Sequence, residues 1–271
     1  MLWIGGGQGA GKTTLSWYLS RANDLPLHRV DLWTYDHQAR LPAGDSLDEQ
    51  LARGPTAAAD AFESHSRLRL GLVLDDVLAR GLGTVPAVVE GPQLMPELAA
   101  RLPTGAGVWL VPDPARTRAA REERLAREQA VAGRLVARRS RVSGLVQRDA
   151  LLAERIRANA ARDGRPVIEV PPSPDWPSVA AGMESALASV LRSAPRLAPG
   201  TELSRQRRHE NEAAERQGRL WMRDAGLTTP PAYPFGCECG RSGCRAIWMA
   251  TPDDYAARAG AERRLVVHDA T

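Results

Sequence analysis

The chain has 271 residues, 43% of them apolar and 25% charged, with a formal net charge of +4. That balance belongs to a globular protein of one large or two unequal domains and excludes a disordered or fibrous chain. No apolar stretch reaches the roughly 18 residues of a bilayer-spanning helix, and the basic residues form no run interleaved with aromatics, so neither a membrane nor nucleic acid is expected as a partner. The three cysteines fall within eight residues and, being odd in number, make no disulfide framework. An apolar strand beginning at residue 2 leaves no room for a signal peptide, and a cytoplasmic location is expected.

Leu2-Trp3-Ile4 is an apolar run long enough for a buried strand. Gly6-Gly7-Gln8-Gly9-Ala10-Gly11-Lys12-Thr13 follows at once and matches the phosphate-binding pattern G-x-x-x-x-G-K-[ST]. Thr13-Thr14-Leu15-Ser16-Trp17-Tyr18-Leu19 then reads as a helix with Leu15, Tyr18 and Leu19 on one side. In that order, successive loop N–H groups form an anion nest and the helix N-terminus adds positive potential. Residues Gly6 to Thr14 are therefore the candidate nucleotide-binding set. Lys12 is the only lysine; every other member of the 36 Lys+Arg is arginine. A compact ammonium fits between phosphates where a planar guanidinium is larger and differently shaped. Lys12 is expected to face solvent and reach the β- and γ-phosphates of ATP, and the Thr13 hydroxyl to hold Mg²⁺.

Further strands are expected at Leu27–Val30, Val85–Glu90, Val108–Val111 and Val167–Val170, with helices near 57–80, 93–100, 115–130, 142–162 and 177–191. Five short apolar strands separated by helices imply an α/β fold, a parallel sheet with helices on both faces. Ligands of such sheets bind at the carboxyl ends of the strands. Two carboxylates stand there: Asp31, in Val30-Asp31-Leu32-Trp33-Thr34-Tyr35, and Glu90, in Val88-Val89-Glu90-Gly91-Pro92. Ordinary turn chemistry also accounts for Asp31, and a solvated strand end for Glu90. After the fourth strand, Arg116, Arg118, Arg121, Arg124 and Arg127 share a helix with Glu122, Glu123 and Glu128. Arginines on a lid can stabilise charge developing on a transferred phosphoryl group; i,i+4 pairing on a solvated helix is the competing account. Arg121 and Arg124, three apart, form the best pair.

Residues 1–192 resemble the P-loop kinases of small metabolites and nucleotides, the group containing adenylate, shikimate, gluconate and uridine kinases. The resemblance implies a three-layer kinase domain with five parallel strands that moves the γ-phosphoryl of ATP to a hydroxyl or phosphate of a small-molecule acceptor. It implies that Asp31 orients that hydroxyl and takes its proton, with Asp36 in reserve. Glu90 would bind Mg²⁺ through water or touch the acceptor. Gln147-Arg148-Asp149 with Arg155 is similar to a returning lid helix, which adds Arg148 to the catalytic candidates Lys12, Asp31, Glu90, Arg121 and Arg124. The loop holding Asp175 and Trp176 would cover adenine; a simple turn before the last helix is the alternative.

Residues 193–200 read as a linker, followed by a helix over 201–224 and a Pro/Gly/Cys-rich stretch. Cys237, Cys239 and Cys244, with His268, make a tetrahedral zinc set that would order so small a unit; three reduced thiols in a loop are the alternative. The segment 201–271 resembles a short bacterial cysteine-containing module of unassigned role, through Asn211-Glu212, the Cys-x-Cys-Gly-x3-Cys run, Thr251-Pro252-Asp253-Asp254-Tyr255 and the Val-Val-His ending. The leading expectation is a kinase; an ATP-binding switch or ATPase whose tail binds a protein partner is the second.

Overall fold

The computed structural model describes residues 1–81, 84–99, 106–132, 139–262 and 264–268, with side chains at 127–132, 139–140 and 261–262 outside the description. Five strands form one all-parallel sheet: β1 (Leu2–Gly6), β2 (Leu27–Arg29), β3 (Val88–Glu90), β4 (Ala106–Pro112) and β5 (Val167–Val170), in the order β2-β3-β1-β4-β5. All five lie where sequence patterning expects them, β3 starting three residues later than the apolar run. In β1, Leu2 and Ile4 point to one face and Trp3 to the other, the period-2 alternation of a strand covered on both sides.

The first face is covered by α1 (Lys12–Ala22) and α8 (Trp176–Ser193), through Leu15, Leu19, Val179, Met183 and Leu187. The second is covered by α4 (Pro55–Leu78), α5 (Pro96–Ala99) and α7 (Arg139–Arg162), through Val73, Val77, Leu98, Leu152 and Ile156. Helix α6 (Pro114–Ala132) leaves β4 and packs beside α7. The expected helix over 93–100 is reduced to α5, and its last residue lies outside the described ones. Two short helices, α2 (Thr34–Arg40) and α3 (Leu47–Ala52), add to the expected set. A capping box at α3 joins Ser46 and Glu49, a spacing readable in the sequence. No helix among the described residues is long and apolar enough to cross a membrane.

Beyond the sheet, α9 (Thr201–Ala225) leads to an antiparallel pair, β6 (Tyr233–Gly236) and β7 (Ile247–Ala250), and to α10 (Pro252–Glu262). A small core forms there around Phe235, Ala214, Tyr255 and Leu265. Glu238 is wholly buried, and its carboxylate accepts from Asn211 Nδ2 (2.7 Å), Tyr255 OH (2.9 Å) and the Leu265 amide (2.9 Å). Three donors offset the desolvation of a buried carboxylate.

This tail is docked against the sheet domain. Glu210 on α9 pairs with Arg21 of α1 at 3.1 Å and accepts from the Leu27 amide at 3.1 Å, at the open edge of β2. Asp24, just past α1, accepts from the Gly243 amide at 3.1 Å and from the Ser242 hydroxyl. The 193–200 stretch is pinned as well: the Leu197 amide donates to the Asp24 carbonyl and the Gly200 amide to the Gly240 carbonyl.

Candidate functional site

The glycine loop leaves the central strand and enters α1. Gly9 and Gly11 take left-handed backbone, at φ of 86° and 77°, conformations that favour glycine. A Cβ on Gly11 would also stand 2.4 Å from the Trp176 ring, and one on Gly9 2.7 Å from Ala120. Gly11 offers no side-chain cap, so the N–H groups of the first turn of α1 look into the loop.

Lys12 does not face solvent as expected from sequence. It is 7% exposed, and its Nζ donates to the Gly7 carbonyl at 2.7 Å. Burial pushes its pKa down, while Glu90 and Asp31 act in the opposite sense. Thr13 Oγ1 donates to Glu90 Oε1 at 3.1 Å. Glu90, 1% exposed at the end of β3, has its pKa raised by burial, opposed chiefly by Arg29, whose Nε lies 3.5 Å away. Its Oε2 has no hydrogen-bond partner among the described residues. A buried carboxylate with a spare oxygen beside a threonine hydroxyl is chemically suited to a cation or a donor group.

Asp31 lies in a 3₁₀ turn, Val30–Trp33, that follows β2 directly. It is exposed, and Gln93 Nε2 donates to it at 3.4 Å. Asp36 is instead held by Arg216 of α9 at 2.8 Å. Arg121 and Arg148 converge on Asp149, one donating at 2.8 and 2.6 Å to Oδ2, the other at 3.0 and 2.7 Å to Oδ1. Each guanidinium commits two donors to a single carboxylate oxygen, which fixes both guanidinium planes. Asp149 and Arg121 both lie near enough to Lys12 to act on its charge. Arg124 lines the cleft. Arg155 is turned away, paired with Asp60 and Glu63 of α4. The Arg127 side chain lies outside the described residues.

Lys12, Thr13, Arg29, Asp31 and Arg124 line one open cleft of about 1270 Å³, and Glu90 adjoins it through Thr13 and Arg29. One end holds Trp176, with Arg116 at 6.0 Å from its ring centroid, and follows β4 and β5. The other holds Asp31, Leu32 and Pro92, after β2 and β3, and is walled by Gln217, Trp221 and Tyr233 of the tail. Asp175 caps α8, accepting from the Ser178 amide, while Trp176 reaches the loop at Gly11.

Ligand atoms of Cys237, Cys239, Cys244 and His268 all lie within 4.8 Å of one another. Both ring nitrogens of His268 are buried without a hydrogen-bond partner among the described residues. Tetrahedral zinc with Zn–S of about 2.3 Å sets its ligands about 3.8 Å apart, so the four donors need only a small contraction.

No family model and no curated protein matches the chain. Sequence reasoning missed Arg29, Asp149 and the tail's wall. Arg29 had a signal: it pairs in register with Glu90, two strand ends bearing opposite charges. Asp149 stands next to Arg148, a candidate in its own right. Nothing local marks Trp221 or Tyr233.

Proposed function

We propose that this chain is an ATP-dependent kinase that moves the γ-phosphoryl group to a hydroxyl or phosphate of a small metabolite or nucleoside. The observation that supports the reading is that Lys12 and Thr13 from the glycine loop, Asp31 from a strand end and Arg124 line one cleft, with Glu90 bonded to Thr13 and the charges of Asp149 and Arg121 acting on Lys12. Phosphoryl transfer needs little covalent chemistry from the protein, only positioning and charge stabilisation.

In this reading ATP with Mg²⁺ supplies the transferable group. Lys12 would exchange its bond to the Gly7 carbonyl for phosphate oxygens, and Thr13 and Glu90 would hold the metal, which supplies charge neutralisation. Asp31 orients the acceptor hydroxyl and accepts its proton. Arg121, Arg124 and Arg148 offset charge on the equatorial oxygens. Trp176 and Arg116 flank the base. Cys237, Cys239, Cys244 and His268 would hold a structural zinc ion, a reading supported by the closeness of the four donors and the orphan imidazole nitrogens.

The test follows ADP release with Mg·ATP across a panel of acceptors. Slow basal hydrolysis accelerated by one acceptor class supports a kinase. Rapid hydrolysis indifferent to all of them favours the ATP-driven switch. With the active acceptor, Asp31→Asn is expected to lower turnover about 10²-fold while leaving ATP affinity unchanged by calorimetry. Lost ATP affinity with an intact maximal rate would refute the acceptor role.

A further inference from the structure

Strand order splits the cleft. The end after β4 and β5 carries Trp176 and Arg116; the end after β2 and β3 carries Asp31. The volume, about 1270 Å³, exceeds the roughly 300–1,000 Å³ of a single small-molecule pocket and leaves room for a second molecule beside a nucleotide. Among the described residues, much of what faces the Asp31 end lies outside the sheet domain. It comes from the tail: Gln217 and Trp221 on α9, then Pro231 and Tyr233. The half-buried indole and phenol rings are open toward the cleft, and a carboxamide stands beside them.

The tail also holds the turn that bears Asp31. Trp33 stacks with both His28 (5.6 Å) and His209 of α9 (5.9 Å), and the Arg216 guanidinium lies 4.5 Å from the Trp33 ring centroid. Leu32 packs into the tail's own core. Tyr35 donates to Asp224 at 2.9 Å. One helix therefore both fixes the acceptor-side carboxylate and supplies the surface facing it.

We infer that the C-terminal module is the acceptor-binding wall of this enzyme, and that the acceptor is a hydroxylated ring compound. Its flat face packs on Trp221 and Tyr233, Gln217 bonds a ring substituent, and one ring hydroxyl points to Asp31. Aromatic walls select for planar or ring-shaped partners, and a single carboxamide among them fixes orientation. The inference rests on the kinase reading.

The experiment uses the full chain, ATPγS with Mg²⁺, and four probe sets: nucleosides, pyranose sugars, cyclitols, and linear polyols of matching hydroxyl count. Calorimetry first measures ATPγS alone. Failure of the unaltered chain to bind ATPγS would remove the kinase reading, and the inference with it. With nucleotide bound, a ring compound is expected to bind and linear polyols not to. Trp221→Ala should weaken that ring compound about tenfold, Trp221→Phe by less than about threefold, and both should leave ATPγS affinity unaltered. Gln217→Ala gives a second readout should Trp221→Ala fold poorly, with a similar loss expected. The inference is overturned if only linear polyols bind, if the ring compound binds all variants alike, or if Trp221→Ala weakens ATPγS as much as the acceptor.

Discussion

Lys12 is held by a carbonyl of its own loop and is almost wholly out of water. Removing it has two consequences that separate cleanly. Lys12→Ala should abolish transfer, because the loop then lacks the ammonium that would sit between the β- and γ-phosphates. Lys12→Arg should cost about 10²-fold or more in turnover, since a planar guanidinium needs more room than this buried site offers. Full activity in the arginine variant would show that charge alone is required. The loop should stay folded in both, as judged by circular dichroism, because its turns are set by glycines and not by the lysine.

Glu90 points to a trade between stability and function. Burial raises its pKa above the ordinary 4.5, so the folded chain holds that proton more tightly than the unfolded one. Its contribution to stability is complete below pH 4.5 and is lost as pH rises through the raised value. Glu90→Gln removes the cost. The ligand-free variant should therefore melt higher than the unaltered chain at pH 8, with the gap closing toward pH 4.5, while turnover falls about 10²-fold. A variant that melts lower at pH 8 would mean that Arg29 and Lys12 outweigh desolvation.

At the scale of elements, the stack of His28, Trp33 and His209 joins β2, the Asp31 turn and α9. Burial pushes the His28 pKa down from 6.5 to about 3, with Arg80 adding to the effect, and lowers that of His209. Both imidazoles fold neutral. The unfolded chain takes up protons first, so stability present above pH 6.5 should decline as pH falls toward 3. His28→Phe keeps an aromatic ring in the stack and should flatten part of that decline in denaturant titrations. An unchanged slope would assign the acid sensitivity elsewhere.

The same elements show what the sequence discloses. The apolar runs at Val88–Glu90 and Val108–Val111 announce strands because those strands are buried on both faces, whereas Val167–Val170, an edge strand with Glu169 exposed, is marked by its β-branched residues. The glycine pattern places the loop because its backbone tolerates few alternatives. Helix α2 stays hidden, being a single polar segment whose order comes from Arg216, Asp224 and Asp76, all far off in sequence. The clamp on Asp149 and the wall at Trp221 are long-range as well. Arg121 and Arg148 are candidates readable from sequence; their pairing through Asp149, and the place of the tail beside Asp31, are not.

For the molecule as a whole, the tail and the sheet domain share buried polar contacts. Arg21, 3% exposed, has Glu210 as its ion-pair partner, and the Leu27 amide finds its acceptor on the same glutamate. The purified chain should carry about one zinc per chain, with Cys237, Cys239 and Cys244 shielded from alkylation. Chelation should loosen the segment from about 228 onward and weaken acceptor binding, while ATPγS still binds at the glycine loop. Absence of zinc with all three thiols freely alkylated would refute the metal site. Residues 1–192 alone, expected from sequence to keep ATP binding, would lose the Arg21–Glu210 and Leu27–Glu210 contacts and expose the edge of β2 that the tail covers; a lower melting temperature than that of the full chain should follow.

The buried lysine has one more consequence, for labelling. Apart from the α-amino end, this chain offers a single amine, because all its other basic side chains but the histidines are guanidinium groups. Amine-directed chemistry, such as reductive methylation with a ¹³C label, would thus mark one side chain, at the floor of the cleft. Its lowered pKa favours the nucleophilic free base, and its enclosure slows reagent access. The resulting methyl resonance would be a built-in spectroscopic reporter, shifting when phosphate replaces the Gly7 carbonyl and silent to events elsewhere on the surface.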